Sequence, residues 1–178
     1  LSNESNINRG RNSCAAKFLK GDCTHLMFVD ADIGWNPVDV VKLVNHERDI
    51  VVGAYPQKTM PAKYVVNVTK DGEREGDLVE VDSAGTGFML ISRNVFERLI
   101  QKGATKYHDD IGLDRETNAN QYDFFNCTVE SGQYLTEDYS FCHSVRRAGF
   151  SIFMDKTINL THTGYWRFPG DSAMLEEI

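Results

Sequence analysis

Apolar residues recur along this chain in segments whose spacing alternates between helical and strand-like. A helical spacing over residues 7–20 predicts a helix, and its apolar positions are Ile7, Cys14, Ala15, Phe18 and Leu19. Short apolar runs predict strands at residues 24–32, 49–55, 63–69, 77–84, 85–93, 124–130 and 150–155. Residues 104–123 are polar and predict an irregular loop.

Three further helices are predicted from their start and stop signals. Asn36 followed by Pro37 gives a capping side chain and then a proline at the first helical position. The apolar stripe of that helix is predicted to comprise Val38, Val41, Leu43 and Val44. The other two helices are predicted over 94–102, with Gly103 as the stop, and over 136–149, with Thr136 as the N-cap.

The order of these elements indicates the fold class. Strands and helices alternate early in the chain, and the runs 63–69 and 77–84 flank a polar turn as antiparallel hairpin arms. This order predicts an α/β sandwich built around a mixed sheet. A length of 178 residues suits one domain with a real hydrophobic core.

Composition narrows the classes of function. The net charge of −7 disfavours nucleic acid as a partner, because that role needs clustered Lys and Arg. No apolar run approaches the length of a transmembrane helix, so we expect a soluble protein. The four cysteines stand far apart without a CxxC pair, which predicts reduced thiols rather than a zinc site.

Carboxylates supply the sharpest candidate chemistry. Asp30 and Asp32 come at the end of an apolar strand, with one small residue between them, where they could bind a hard divalent cation such as Mg²⁺ or Mn²⁺. Glu137 and Asp138 begin a predicted helix; they either complement its dipole or provide a general base. His162, in LTHTG, is either a satisfied polar residue or a further ligand for the same cation.

Three other features are candidates for contacts with a substrate. Gly85 and Gly87 would let a substrate lie close to the backbone, or else mark a β-bulge. Arg9 and Arg11 could meet a phosphate or remain solvated. Three aromatic residues could stack on a sugar face or pack as ordinary core and rim residues; they are Trp35, Tyr165 and Trp166.

Three stretches in this order resemble the GT-A glycosyltransferases, especially their family-2-like members, including sugar transferases of viruses, phages and marine microbes. The stretches are NRGRNSCAAKFLKGDCTHLMFVDAD, AGTGFMLISRNVFERL and LTEDYSFCHSVRRAGF. The resemblance implies a GT-A-like, Rossmann-like α/β/α sandwich. The βαβ unit that opens this family is not found ahead of Ser5, so we expect residues 1–178 to be a single but N-terminally incomplete domain.

The resemblance also implies roles for particular residues. Asp30 would lie near the ribose or the metal, Asp32 and His162 would bind Mn²⁺ or Mg²⁺, and Arg9 or Arg11 would face the nucleotide. Asp138, beside Glu137, would be the base if the reaction inverts at the anomeric carbon, and would orient the acceptor or donor if it retains. A hexosyltransferase of this kind moves a sugar from a nucleoside diphosphate-sugar donor to a hydroxyl of a glycan or glycoprotein, with Gly85, Gly87 and Trp166 on the substrate side. Because sugar nucleotides are cytosolic, we expect a cytoplasmic location.

Two other functions are compatible with the sequence. A nucleotidyltransferase of similar architecture would also use a metal and phosphates, but would carry a basic, glycine-rich loop for the triphosphate near its N-terminus. A non-catalytic carbohydrate-binding module would need the aromatic residues, but not Asp32, Asp138 and His162 together. Binding of nucleoside diphosphates that depends on metal would separate these possibilities from a glycosyltransferase.

Overall fold

A computed structural model describes residues 4–109 and 112–170 of the chain. Its helices are α1 (Ile7–Lys20), α2 (Pro37–Asn45), α3 (Arg93–Gln101), α4 (Arg115–Asn118) and α5 (Glu137–Arg147). Its strands are β1 (His25–Val29), β2 (Ile33–Gly34), β3 (Ile50–Val52), β4 (Val66–Val68), β5 (Arg74–Glu75), β6 (Leu78–Ala84), β7 (Phe88–Ser92), β8 (Thr128–Glu130), β9 (Gln133–Leu135), β10 (Ile152–Asp155), β11 (Thr161–Thr163) and β12 (Arg167–Pro169).

The central sheet is mixed. Its strands lie in the order β1-β7-β3-β10-β6-β4, and β5 pairs with β6 beside this path. β3 and β10 run parallel, whereas β7 is antiparallel to both β1 and β3. The predicted hairpin arms pair as β4 and β6, with a register shift between Asn67 and Val68. The predicted mixed α/β architecture is therefore confirmed.

The two faces of the sheet are buried by different helices, and β3 shows how the side chains divide. Ile50 and Val52 pack into a core with residues of α1, α3 and α5, while Val51 between them packs with Leu43 of α2. This division follows from the twofold alternation of side chains along a strand. All three residues of β3 are fully buried, as is typical of an inner strand with helices on both faces.

A second, small sheet was not predicted and matters for the site. It has the order β12-β11-β2, with His162 of β11 opposite Ile33 of β2. These strands are two or three residues long, too short for an alternating pattern to reveal them. Their pairing joins the segment just after β1 to the last described part of the chain.

Helix starts agree well with prediction. α1 has the predicted range, and Asn6 caps it by accepting hydrogen bonds from the backbone of Asn8 and Arg9. α2 begins at Pro37 with a reciprocal capping box between Asn36 and Asp39. Helix α5 starts after Thr136 as predicted, but the Thr136 side chain makes no capping hydrogen bond.

Three predictions from the apolar pattern were wrong. In α2, Leu43 is fully buried, but Val38, Val41 and Val44 are about half exposed. The apolar run at 24–32 predicts a buried strand, but β1 lies at the end of the sheet order and buries only Phe28 within its span. The predicted irregular loop 104–123 contains the short helix α4.

The predicted strand 124–130 is also shorter than expected. The backbone N–H groups of Phe124 and Phe125 donate to the side chain of Asn12, so they are not available to a strand. Strand structure begins at Thr128 and forms the β8–β9 hairpin, separate from the main sheet. Its turn residues Ser131 and Gly132 both have positive φ, as a two-residue hairpin turn of type I′ requires. Among the described residues, no helix is both long enough and apolar enough to cross a membrane.

Candidate active site

The four candidate carboxylates come from two places in the fold. Asp30 and Asp32 follow β1, and Glu137 and Asp138 open α5. The backbone around Asp30 is fixed by hydrogen bonds, since its N–H donates to the carbonyl of Gly87 at 2.9 Å and its carbonyl accepts from Ile33 at 3.1 Å. The end of β1 is thereby held against the start of β7.

Asp32 and His162 meet although they are far apart in the chain. The Oδ2 atom of Asp32 lies 3.3 Å from Nε2 of His162. The β2–β11 pairing places them together, and the backbone N–H of Thr163 donates to the Asp32 carbonyl at 2.8 Å. The His162 Nδ1 atom lies 2.9 Å from the Pro56 carbonyl, which can only accept, so Nδ1 carries a proton. Nε2 is therefore the ring nitrogen that faces Asp32, and it could bind a cation only in the neutral ring.

Asp32 has a second cationic neighbour, Lys58, whose Nζ lies 2.6 Å from the same Oδ2 atom. Partial burial opposes ionisation of Asp32. The hydrogen bond from Lys58 and the positive charges of His162 and Lys58 outweigh it, and they hold the pKa of Asp32 below its ordinary value. Asp32 is thus an ionised carboxylate, with its side chain 41% exposed.

Asp30 is engaged by Arg11 rather than by the Asp32–His162 pair. Arg11 Nη2 lies 3.3 Å from Asp30 Oδ2 and 3.7 Å from Glu137 Oε1, so one buried guanidinium joins both carboxylate motifs. The Nε and Nη1 atoms of Arg11 are buried and have no hydrogen-bond partner among the described residues. Buried donors of this kind usually have partners, which makes Arg11 unusual in this fold.

Glu137 is largely buried and lies close to other carboxylates. Burial raises the pKa of Glu137, the charges of Asp138 and Asp30 raise it further, and Arg11 partly opposes them. Asp138 is held by the first turn of α5, where its Oδ1 accepts hydrogen bonds from the Thr136 hydroxyl and from the Tyr139 N–H. Hydrogen bonds to Asp138 from the described residues are confined to Oδ1.

The glycines at positions 85 and 87 make room for Tyr55, a residue that the sequence analysis missed. A Cβ atom on Gly87 would lie 2.8 Å from the Tyr55 ring and 3.0 Å from Asp30 Oδ2, and one on Gly85 would clash with the Tyr55 hydroxyl. The space in front of both glycines is therefore filled by the protein itself. Burial, followed by the charges of Asp30 and Asp138, raises the pKa of Tyr55 above its ordinary value. Tyr55 also packs edge-on to His162, at 5.3 Å between ring centroids.

Two predicted site residues lie outside this cluster. Arg9 pairs with Glu4 at 2.8 Å, so of the two arginines only Arg11 contacts Asp30. Trp166 lies in the turn between β11 and β12 and is 77% exposed, next to the fully exposed Tyr165. The turn adjoins the cluster through Lys58, because a Cβ on Gly164 would lie 3.1 Å from the Lys58 side chain.

The donor set fits a hard divalent cation only in part. Within residues 4–109 and 112–170, no three His, Cys, Asp or Glu side chains form a ready metal-binding group. Asp32 and His162 offer one oxygen and one nitrogen, whereas Asp30 is paired with Arg11. Mg²⁺ and similar ions commonly bind through one or two side chains, with substrate phosphates and water completing the shell. Two converging donors are consistent with that mode of binding.

Comparison with known proteins supports the fold and nothing more specific. No protein-family model matches the chain, and no curated protein does. Among solved structures, it is similar to the one described as "Crystal Structure of A197 from STIV", with a TM-score of 0.57 and 23% identity over 92% of this chain and 71% of that chain. At this identity, the likeness concerns the arrangement of helices and strands alone.

Sequence patterns gave no sign of two of the residues in this cluster. Tyr55 and Lys58 follow β3 in a segment that contains no recognisable motif. The one signal for Tyr55 was indirect, since two glycines close together at the start of a strand indicate that something approaches the backbone. Lys58 is one of several exposed lysines, and only the folded chain distinguishes it.

Proposed function

We propose that this chain is a metal-dependent glycosyltransferase of the GT-A type, which moves a sugar from a nucleoside diphosphate-sugar donor to a hydroxyl of a glycan or glycoprotein. The observation that carries the proposal is the convergence of Asp32 and His162 at 3.3 Å, beside the Arg11-linked carboxylates. The α/β architecture and the resemblance of the three sequence stretches are consistent with it.

Asp32 and His162 would hold Mn²⁺ or Mg²⁺ together with the donor diphosphate. Asp32 is ionised, and the hydrogen bond of His162 to Pro56 orients Nε2 for ligation. When bound, the cation would neutralise charge on the departing diphosphate. Asp30 would stay with Arg11 on the nucleotide side, and the buried Arg11 would fix the distance between the donor end of the site and α5.

Asp138 would be the general base of an inverting transfer. Its Oδ1 is occupied by Thr136 and Tyr139, which fixes the orientation of the carboxylate and leaves Oδ2 to accept the proton of the acceptor hydroxyl. As that proton leaves, the hydroxyl oxygen forms the new bond to the anomeric carbon, while the bond from that carbon to the diphosphate oxygen breaks. Trp166 and Tyr165, exposed on the neighbouring turn, would present ring faces to an acceptor sugar.

Calorimetry with UDP and GDP, with and without Mn²⁺, tests the donor half of the proposal. We expect diphosphate binding that needs Mn²⁺ and is lost in Asp32→Ala. Asp22→Ala, an exposed aspartate on the turn after α1, is the matched control and should bind normally. Binding that ignores both a chelator and Asp32→Ala would refute the glycosyltransferase function. Sugar binding without diphosphate binding would instead indicate a carbohydrate-binding module.

The base is tested separately. Asp138→Asn should leave UDP binding intact and reduce transfer by about 10²-fold or more, the usual scale for losing a general base. Donor binding would be measured calorimetrically and transfer by release of the nucleoside diphosphate in the presence of acceptor. Near-normal turnover of Asp138→Asn would place the base elsewhere, with Glu137 the next carboxylate to test.

A further inference from the structure

Lys58 lies outside every motif that suggested a function, yet its ammonium group ends at the centre of the site. It belongs to the segment between Pro56 and Tyr64, which are themselves joined by a β-bridge. The backbone of this segment is closed by the Gln57 N–H, which donates to the carbonyl of Lys63 at 2.6 Å. From there the Lys58 stem runs beside Gly164, at the turn between β11 and β12.

The ammonium group of Lys58 pairs with the Asp32 oxygen that faces His162. Nζ of Lys58 lies 2.6 Å from Asp32 Oδ2, the same oxygen that lies 3.3 Å from His162 Nε2. A divalent ion between Asp32 and His162 and an ammonium group on that oxygen would repel each other at close range. Either cation can satisfy Asp32, so the two compete for it.

Lys58 is free to leave Asp32. Its side chain is 40% exposed, and lysine carries its charge on a flexible four-carbon stem. Its one hydrogen-bond partner among the described residues is Asp32. An ammonium group displaced from Asp32 but tethered by this stem stays near the site, where a diphosphate would be the nearest compensating anion.

Resting on the proposed function, we infer that Lys58 has two alternating partners. In the free protein it neutralises Asp32 in place of the divalent cation. When the cation and a diphosphate bind, Lys58 transfers its hydrogen bond from Asp32 to diphosphate oxygens, and so becomes a donor-binding residue. Lys58 therefore changes the two affinities in opposite directions: it weakens binding of the metal alone and strengthens binding of the diphosphate.

Lys58→Met tests both effects, with Lys63→Met, an exposed lysine on the same segment, as the control. Mn²⁺ binding without nucleotide would be followed by the electron paramagnetic resonance signal of free Mn²⁺. We expect Lys58→Met to bind Mn²⁺ about two- to fivefold more tightly, the scale of one exposed ion pair. Calorimetry with UDP at saturating Mn²⁺ should show binding weakened about tenfold, the scale of one hydrogen bond to a charged group.

The outcomes separate the inference from the proposed function. Lys58→Arg should bind UDP much like the wild type, because it keeps the charge, and Lys63→Met should match the wild type in both measurements. If the wild type binds Mn²⁺ and UDP but Lys58→Met alters neither, or shifts both in the same direction, the role of Lys58 is refuted and the proposed function stands. If the wild type binds neither ligand, both are refuted.

Discussion

Replacing Asn12 should cost the protein a large part of its stability. The side chain is 3% exposed and ties α1 to the segment that leads to β8. Its Oδ1 accepts hydrogen bonds from the backbone of Phe124 at 3.1 Å and of Phe125 at 2.9 Å, and its Nδ2 donates to Asp123 at 3.0 Å. Asn12→Ala removes all three hydrogen bonds and leaves the buried N–H of Phe125 without a partner, whereas the Phe124 N–H keeps its second acceptor, the carbonyl of Tyr122 at 3.0 Å.

The magnitude follows from the one stranded donor and the two other lost bonds. An unsatisfied buried donor costs about 1–3 kcal/mol and an ordinary hydrogen bond contributes about 0.5–1.5 kcal/mol, so Asn12→Ala should lower the free energy of unfolding by about 2–4 kcal/mol. A typical domain is stable by about 5–15 kcal/mol, so this one substitution removes a substantial share. Urea denaturation followed by circular dichroism measures the difference directly.

Two further variants make the test specific. Asn120→Ala removes a single exposed hydrogen bond, to the carbonyl of Glu116, and should change stability by no more than about 0.5 kcal/mol. Asn12→Asp keeps the acceptor for the two backbone N–H groups, but it places a second carboxylate beside Asp123 and should lower stability. Adding Asp123→Asn restores a hydrogen-bond donor between the two positions and should recover part of the lost stability. A cost below about 1 kcal/mol for Asn12→Ala, similar to that of Asn120→Ala, would refute this account of the α1 contact.

Three other predictions concern packing, thiols and pH. Gly87→Ala should lower stability by about 1–3 kcal/mol through overpacking, whereas Gly21→Ala, with one ordinary backbone contact at 3.6 Å, should be close to neutral in the same urea assay. Burial raises the pKa of Cys142 to about 12, so a thiol reagent should modify exposed Cys23 in the native protein but Cys142 only after unfolding. A backbone hydrogen bond from Glu73 lowers the pKa of Glu80, with help from Ser151 and Arg146, so its stabilisation is present at neutral pH and lost as pH falls through the folded pKa. The stability difference between wild type and Glu80→Gln should therefore be constant near neutral pH and shrink as the pH falls through the acid range where Glu80 becomes protonated, and an unchanged difference would contradict this sign.

The helices were the most predictable part of the fold, because their signals are local. The range of α1 and the Asn36-Pro37 start of α2 follow from neighbouring residues alone. The exposed valines of α2 show the limit of this reasoning, since spacing identifies an apolar stripe but not whether another element covers it. Strands were predicted too long, because an apolar run continues beyond the last residue that pairs.

Site residues could be predicted where their chemistry is distinctive, but not where tertiary contacts alone bring a residue to the site. Asp32 and His162 were expected to converge, and the structure brings them together. Their role as metal ligands stays a prediction. Arg9 and Arg11 could not be distinguished from the sequence. In the folded chain Arg11 lies on the face of α1 that is buried beside Asp30, whereas Arg9 pairs with Glu4. Tyr55 and Lys58 were missed because their positions depend on the β2–β11 pairing and on the path of the chain after β3.

The two halves of the site, the proposed metal ligands and the proposed base, are supported by different parts of the fold. Asp30 and the start of α5 are tied to the central core, through Arg11 and through helix residues that pack on the sheet. Asp32 and His162 depend on the short β2–β11 pairing, with few ladder hydrogen bonds to hold it. Segments with so few supporting contacts open at lower free energy than the core. We therefore expect local opening of the small sheet to separate the proposed metal ligands while the proposed base stays in place. A weakened β11–β12 hairpin should then impair donor binding before it affects the overall fold.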